Sequence, residues 1–263
     1  MKRVLCSHLP KPGKPSLLDE NEANHAVKVL RLRDGDRIEA LDGKGGKIEA
    51  VLRTRGGPTR VEALEQNSPS QKPELPAERQ VLPISLEISV LKGDAMEWVV
   101  EKAAELGVQE LIPLLTDHTV VQMKTKKPEV FQERWQKIAD QALKQSGRLE
   151  RLKIQPPVPL AVWTQKAPSS VSQPRLWLDE QTAQAPSLFL GSWLREQDLR
   201  ECRILIGPEG GWSEAERGLL AERSVRLGLG PLILRAETAA IFSVSAVVSA
   251  LRALDNQFPK KGF

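Results

Sequence analysis

The chain has 263 residues, of which 40% are hydrophobic and 27% are charged. This composition is typical of folded globular proteins and excludes a disordered or fibrous chain. The length allows one large domain or two smaller ones that each bury a core, and two domains are the better expectation. The 38 basic and 34 acidic side chains give a net charge of only +4, which does not by itself identify a nucleic-acid partner.

Positive charge is concentrated in two separate parts of the chain. Residues 1–80 carry 15 basic and 12 acidic side chains, and residues 116–155 carry nine and five. The stretch between them, 81–115, has two basic and six acidic side chains. Two basic segments suit two surfaces that together hold a phosphate backbone, although a solvated surface of mixed charge produces the same pattern.

The cysteines and the apolar segments favour a cytoplasmic protein. Cys6 and Cys202 are too few and too far apart for a disulfide framework or a zinc site, so we expect a reducing compartment and no metal. The N-terminus lacks an apolar run of signal-peptide length. The most apolar stretch, 239–250, is short for a membrane span and has charged flanks, which predicts a buried helix and no membrane partner.

A linker divides the chain. Residues 67–79 contain three prolines and almost no residue to bury, which is typical of a linker. We therefore predict one domain over residues 1–75 and a second over residues 80–255.

The first domain has the pattern of a β-barrel built from hairpins. Apolar and polar positions alternate in DRIEALDG, GKIEAVL and RVEALE, and a glycine-rich turn at 43–46 separates the first two runs. A short helix over residues 22–30 is predicted between strands, with Ala26, Val29 and Leu30 on its inner face.

The second domain alternates strands with helices. We predict strands at ISLEISVL, ELIPLL, RLWL, RILI and PLILR. We predict four helices: one over 95–106, one from about 129 to 146, one that starts at Ser213, and a last one that ends at about 254. The expected core positions of the first two helices are Met96, Val99, Val100 and Ala103, then Trp135, Ile138 and Ala142, with Trp98 also in the core. Strand, helix and strand in series indicate a parallel sheet with helices on both faces.

The stretch RILIGPEGGWSEAE, residues 203–216, is the most informative in the chain. A short apolar strand ends in a glycine-rich turn, and Ser213 with Glu216 has the spacing of a capping box that starts a helix. This arrangement places backbone N–H groups around an open pocket, and glycine lets a ligand approach the main chain. The stretch lacks the spacing of a P-loop or a dinucleotide fingerprint, so its backbone groups suit the edge of an adenine better than a phosphate. The alternative is a tight turn that binds no ligand.

A second glycine-rich turn lies in LGLGPLILRAETAA, residues 227–240. Gly228 and Gly230 precede an apolar run, after which Arg235, Glu237 and Thr238 lie at the start of the last helix. These polar residues suit helix capping and an ion pair. Capping does not account for two glycine turns in one parallel sheet, since such turns meet at the carboxyl edge where open α/β sheets bind ligands.

Together the two stretches resemble the paired signature of the SPOUT methyltransferases, specifically the 16S ribosomal RNA (uracil-N3) methyltransferase family. HAVKVLRLRDGD, KGDAMEWVVEKAAELGVQELIPL and RWQKIADQALKQSGR extend the resemblance over nearly the whole chain. The resemblance implies a C-terminal sheet threaded into a trefoil knot, a PUA-like RNA-binding barrel and a homodimer that pairs across the knotted domain. It also implies S-adenosylmethionine (SAM) as cofactor and 16S ribosomal RNA of the small subunit as substrate. The cofactor residues that it implies are Leu178, Ile206, Gly207, Pro208, Glu209, Gly210, Gly211, Leu229, Gly230, Leu232 and Leu234.

Methylation at uracil N3 requires that the N3 proton leave and that the resulting anion be stabilised. We expect Arg235 to hold that charge or a neighbouring phosphate, because a guanidinium offers several fixed donors. Glu237 or Glu209 is the candidate proton acceptor, and a helix-end role is equally open for each. Tyrosine is absent, so no phenol can act as the base.

Several basic residues are candidates for RNA contacts, each with a solvated surface charge as the alternative. They are Arg31 and Arg33 in the first domain, and Lys124, Lys126, Lys127, Lys144 and Arg148 in the second. His25 and His118 are further candidates, and His118 stands where the family commonly has arginine.

Three alternatives remain open. Another SPOUT enzyme that methylates a ribose or a tRNA base would share the cofactor site. A non-catalytic RNA-binding protein of ribosome assembly would use the barrel and the basic segments alone. An NAD-dependent enzyme is disfavoured by the absence of GxGxxG.

Overall fold

The computed structural model describes residues 1–64, 81–121, 127–166, 173–181 and 188–257. Contacts divide the described residues into two compact units, one from Met1–Gln80 with Asp140–Arg151 and one from Val81–Ala139 with Leu152–Phe263. The assignment of Asp140–Arg151 to the first unit departs from the predicted continuous second domain. The linker predicted at 67–79 lies outside the described residues, so the domain boundaries stay predictions.

The first unit is built on a five-stranded sheet. Its strands are β1 (Arg3–Leu5), β2 (Ser16–Leu17), β3 (Arg37–Leu41), β4 (Lys47–Arg53) and β5 (Arg60–Ala63). Their order is β1-β3-β4-β5-β2, and every pair except β1 with β3 is antiparallel. The three predicted alternating runs are β3, β4 and β5. Their inward positions Ile38, Ala40, Ile48, Ala50, Leu52 and Val61 form the core of the unit.

The helix predicted at 22–30 is split. Helix α1 (Glu20–Asn24) is capped by the Asp19 side chain, and a π-helical turn (His25–Val29) follows it. Ala26 is buried and Leu30 packs on the core, but Val29 is 66% exposed, so its predicted inward position is wrong. The hydrogen bond from Leu30 N–H to the His25 carbonyl spans five residues and widens the turn, which rotates Val29 off the inner face.

The second unit has a parallel sheet with helices packed on it, which confirms the predicted α/β class. Its strands are β6 (Leu82–Ser89), β7 (Val108–Leu115), β8 (Lys153–Ile154), β9 (Val158–Pro159), β10 (Arg175–Leu178), β11 (Cys202–Ile206) and β12 (Val225–Leu227). The order is β12-β10-β11-β6-β7-β8, with β9 pairing with β7. The helices are α2 (Asp94–Glu105), α3 (Pro128–Ser146), α4 (Leu160–Lys166), α5 (Leu190–Arg195), α6 (Glu214–Ala221) and α7 (Ala236–Gln257), and the part of α3 from Asp140 onward belongs to the first unit. The trefoil knot stays a prediction.

The strand predicted at PLILR is wrong. Residues 231–235 have no strand pairing, and the strand of this region is β12, immediately before the glycine-rich turn. Leu232 and Ile233 are 74% and 67% exposed, so the apolar run that resembled a buried strand is a surface segment. Periodicity cannot distinguish the two, because a short apolar run has no polar position to mark its exposed side.

The predicted cores of α2 and α3 hold with one exception. Trp135 and Ala142 are buried in α3, and Ile138 is half-buried. On α2 the buried face is Met96, Val99, Val100 and Ala103, as predicted, but Trp98 is 42% exposed. At 3.6 residues per turn Trp98 points nearly opposite to that face, so its assignment to the core was wrong.

Helix α7 is the one element among the described residues that is long and apolar enough to cross a membrane by length and composition alone. It packs on β6, β11, α2 and α5, with Ala240, Val244, Val247, Val248 and Leu251 buried. This packing is that of a core helix, as predicted for residues 239–250.

Both cysteine thiols should be unreactive in the folded protein. Cys6 and Cys202 are buried, and desolvation raises the pKa of each thiol to about 12. Because the thiolate is the reactive form, we expect no fast reaction with a disulfide reagent at pH 8 in the native protein. In guanidinium chloride two equivalents should react. Rapid release of one equivalent from the native protein would show that one thiol is accessible.

Candidate active site

The two glycine-rich turns and the end of β10 line one cavity of about 540 Å³ in the second unit. The first turn follows β11 and the second follows β12, while β10 lies between these two strands in the sheet. Because all three strands are parallel, their carboxyl ends meet at the same edge. Such a cavity is within the range of roughly 300–1,000 Å³ common for small-molecule sites.

Ten of the eleven predicted cofactor residues line this cavity. They are Leu178, Ile206, Gly207, Pro208, Glu209, Gly211, Leu229, Gly230, Leu232 and Leu234. Gly210 is not part of the lining. It faces His118 instead, since a Cβ built on it would lie 3.0 Å from the Cβ of His118. The cofactor role of all eleven residues stays a prediction.

Position 207 in the first turn requires glycine because the ring of Trp212 packs directly against it. A Cβ on Gly207 would lie 2.8 Å from the ring of Trp212, which is buried and donates from Nε1 to the Leu178 carbonyl at 3.4 Å. Gly211 has φ +71°, and a Cβ there would lie 2.6 Å from Glu180 Oε1. Trp212 therefore packs against the turn and is not part of the cavity lining.

The helix after the first turn begins as predicted. Ser213 is the N-cap of α6: its hydroxyl accepts from Glu216 N–H, and the Glu216 carboxylate accepts from Ser213 N–H at 3.0 Å. This capping box satisfies two helix-end donors and fixes where the turn ends.

Sequence reasoning missed two acidic residues of the cavity. Asp179 and Glu180 follow β10 directly and line the cavity with the turns. Arg217 on α6 bonds to both carboxylates, and Arg226 Nε lies 2.5 Å from Asp179 Oδ2. The signal was available, since WLDE places two carboxylates at a strand end that faces the same edge as the glycine turns.

The three predicted catalytic residues all line the cavity. Glu209 Oε1 accepts a hydrogen bond from Lys92 N–H at 3.2 Å. The Arg235 side chain is 87% exposed and lies 4.0 Å from the Glu237 carboxylate. With Asp179 and Glu180, the lining carries four carboxylates and one guanidinium. Arg217 and Arg226 offset part of the negative charge, and the acidic excess that remains favours a ligand with positive charge.

The candidates for RNA contacts differ in how exposed their side chains are. Arg31, Arg33 and Lys127 are exposed. Arg31 also has φ 55°, a backbone conformation that is uncommon outside glycine. Lys124 and Lys126 lie outside the described residues.

Two of the basic candidates are engaged in contacts within the first unit, and their role as phosphate ligands stays a prediction. Lys144 forms an ion pair of 2.7 Å with Glu22 that is largely buried. Arg148 is buried and donates to the Glu150 carbonyl, and burial lowers the pKa of its guanidinium to about 10. The sequence did not indicate this burial, because it depends on which segments pack around each side chain.

Within the described residues, no group of three or more His, Cys, Asp or Glu side chains is placed to hold a metal ion.

Comparison with known proteins defines the class. Residues 77–248 match the family model described as an RNA methyltransferase domain, and residues 18–62 match the RNA methyltransferase PUA domain. The first match spans more than half of the chain. The fold and the site are therefore those of an RNA methyltransferase with an N-terminal PUA domain.

The individual relatives narrow the class. Ribosomal RNA small subunit methyltransferase E of Bacillus subtilis is 31% identical over 231 residues, which are 86% of each chain. The protein of the same name from Synechocystis is 31% identical over 88% of this chain and 71% of its own. The chain belongs to the ribosomal RNA small subunit methyltransferase E family, which confirms the SPOUT resemblance drawn from the two motifs.

Solved structures agree over nearly the full length. The Neisseria gonorrhoeae ribosomal RNA small subunit methyltransferase E, bound to SAM, is 27% identical with a TM-score of 0.75 and matches over 97% of this chain and 98% of that one. A Legionella pneumophila protein described as a methyltransferase, also in complex with SAM, is 29% identical with a TM-score of 0.78 over 94% and 96% of the two chains.

Proposed function

We propose that this protein transfers a methyl group from SAM to N3 of a uridine in 16S ribosomal RNA of the small ribosomal subunit. The observation that carries the proposal is the convergence of two glycine-rich turns on one carboxylate-lined cavity. Family membership and a relative solved with SAM bound support it.

The residues of the cavity fit SAM. Leu178, Ile206, Leu229 and Leu234 provide apolar walls of the kind that an adenine ring needs. SAM carries a sulfonium and an ammonium against one carboxylate, so its net charge is positive and complements the acidic lining. The exposed backbone of the glycine turns offers donors and acceptors for the edge of adenine.

When bound, SAM supplies an electrophilic methyl group. The chain must then present uracil with its N3 proton removed. Glu209 or Glu237, both in the cavity lining, accepts this proton in the proposal. Arg235 extends an exposed guanidinium next to Glu237 and stabilises the negative charge that spreads onto the uracil oxygens, or holds an adjacent phosphate.

The first unit supplies RNA affinity in this proposal. Residues 18–62 match an RNA methyltransferase PUA domain, and Arg31 and Arg33 are exposed on it. Such contacts position the RNA through its backbone and carry no sequence information.

We also propose a homodimer and a cytoplasmic location. Leu232, Ile233 and Phe242 are large apolar side chains that lie exposed on the second unit, which supports pairing through that unit. Sedimentation equilibrium should give a mass of twice 29.2 kDa, and a monomer at micromolar concentration would refute the dimer.

The decisive experiment uses labelled SAM and small ribosomal subunits, followed by nucleoside mass spectrometry of the digested RNA. We expect label in 3-methyluridine from 16S RNA. Label in a ribose-methylated nucleoside or in tRNA would favour a different SPOUT activity. A calorimetric titration without SAM binding would favour a non-catalytic role in ribosome assembly.

A further inference from the structure

A loop at the end of β7 holds the first glycine turn from outside the cavity. Residues Thr116–Thr119 form this loop, named here the His118 loop. Asp117 N–H donates to Glu216 Oε1 at 2.9 Å, and Ser213 Oγ donates to Asp117 Oδ2 at 2.5 Å. The loop is therefore joined to the beginning of α6, directly after the turn.

Buried hydroxyls attach the same loop to the sheet. Ser89 Oγ at the end of β6 lies 2.7 Å from Thr116 Oγ1 and 3.0 Å from Thr119 Oγ1. Thr116 N–H also donates to Thr119 Oγ1 at 2.9 Å. These contacts hold the His118 loop rigidly on the sheet, so the loop can restrain the segment that it contacts.

His118 reaches from this support to the turn itself. Its Nδ1 lies 3.0 Å from the Gly210 carbonyl oxygen and 2.9 Å from the Gly211 carbonyl oxygen. Carbonyl oxygens only accept hydrogen bonds, so Nδ1 carries the hydrogen and shares it between the two acceptors. Gly211 lines the cavity, whereas His118 does not.

We propose that His118 is a positioning residue that, through the N–H at Nδ1, sets the conformation of turn 207–211 before SAM binds. The inference rests on the proposed function for the identity of the ligand. Three of the five residues of this turn are glycine, which gives it many accessible conformations, and a turn held in the binding conformation loses less entropy when the ligand arrives. The same contact favours glycine at position 210, since a Cβ there would lie 3.0 Å from the Cβ of His118.

The test compares three replacements of His118. The amide nitrogen of asparagine can occupy the place of Nδ1, whereas that of glutamine reaches the place of Nε2. We expect His118→Ala and His118→Gln to raise the calorimetric Kd for SAM about fivefold, as the loss of one hydrogen bond requires, and His118→Asn to stay within about twofold of the wild type. The kcat at saturating SAM should change less than Kd in all three.

A second measurement needs no cofactor. Amide hydrogen exchange of residues 207–211 in the protein without SAM should be faster in His118→Ala and His118→Gln but not in His118→Asn. Gly210→Ala should have the same effect, because the added methyl group pushes the turn away from His118.

The inference is overturned if His118→Ala binds SAM as tightly as the wild type, or if His118→Asn gives no rescue. Failure of the wild-type protein to bind SAM would instead contradict the proposed function. Hydrogen exchange without SAM would still decide whether His118 holds the turn.

Discussion

Arg235→Ala should lower kcat by about 10²- to 10³-fold, the usual loss when one donor to a developing negative charge is removed. The Kd for SAM should stay within about threefold. The guanidinium lies on the cavity but is 87% exposed, so its removal leaves no buried partner behind. Its position directly before α7 also means that helix stability gains slightly, if anything, from losing a positive charge at the N-terminus.

Single-turnover methylation and calorimetry on the same preparation check this prediction. Arg200→Ala is the matched control, because Arg200 is also highly exposed and does not line the active-site cavity. Arg235→Lys keeps the charge without the planar donors, so its kcat should lie between those of Arg235→Ala and Arg200→Ala. Equal losses in kcat and in SAM affinity would make Arg235 a cofactor residue.

Glu87→Gln should strongly destabilise the second unit. Glu87 lies in the middle of β6 with no exposed side-chain surface, and its Oε2 accepts from Arg175 Nε at 2.7 Å. Its Oε1 accepts from Trp163 at 2.8 Å and from Arg203 at 3.2 Å. Neutralising it leaves the buried Arg175 charge without its carboxylate, which costs about 3–5 kcal/mol.

Thermal unfolding should show this as a fall in Tm on the order of 6–20 °C. Asp198→Asn is the control, because it removes the carboxylate of a highly exposed ion pair with Arg200 and should shift Tm by less than about 2 °C. A Tm of Glu87→Gln within 2 °C of the wild type would mean that the carboxylate is dispensable. Joint replacement of Glu87 and Arg175 by apolar residues should recover part of the loss, since both charges are then absent.

The sequence alone was sufficient where local chemistry decides structure. The capping box at Ser213 and Glu216, the buried face of α2 and the alternating strands β3 to β5 all follow from residue type and spacing. The convergence of the two glycine turns at one sheet edge follows from parallel strands, and the family resemblance supplied the ten cavity residues.

Positions that depend on partners distant in sequence were decided only by the tertiary structure. Arg148 and Lys144 have the sequence context of surface charges, but Arg148 is buried and Lys144 lies in a largely buried ion pair. Leu232 and Ile233 resemble a strand and lie exposed. The WLDE pattern could place Asp179 and Glu180 at the sheet edge, but their pairing with Arg217, more than 35 residues away, is visible only in the folded protein. Local propensity records how a residue relates to its neighbours in the chain. Burial and ion pairing depend on which segments meet in space, so only the folded protein determines them.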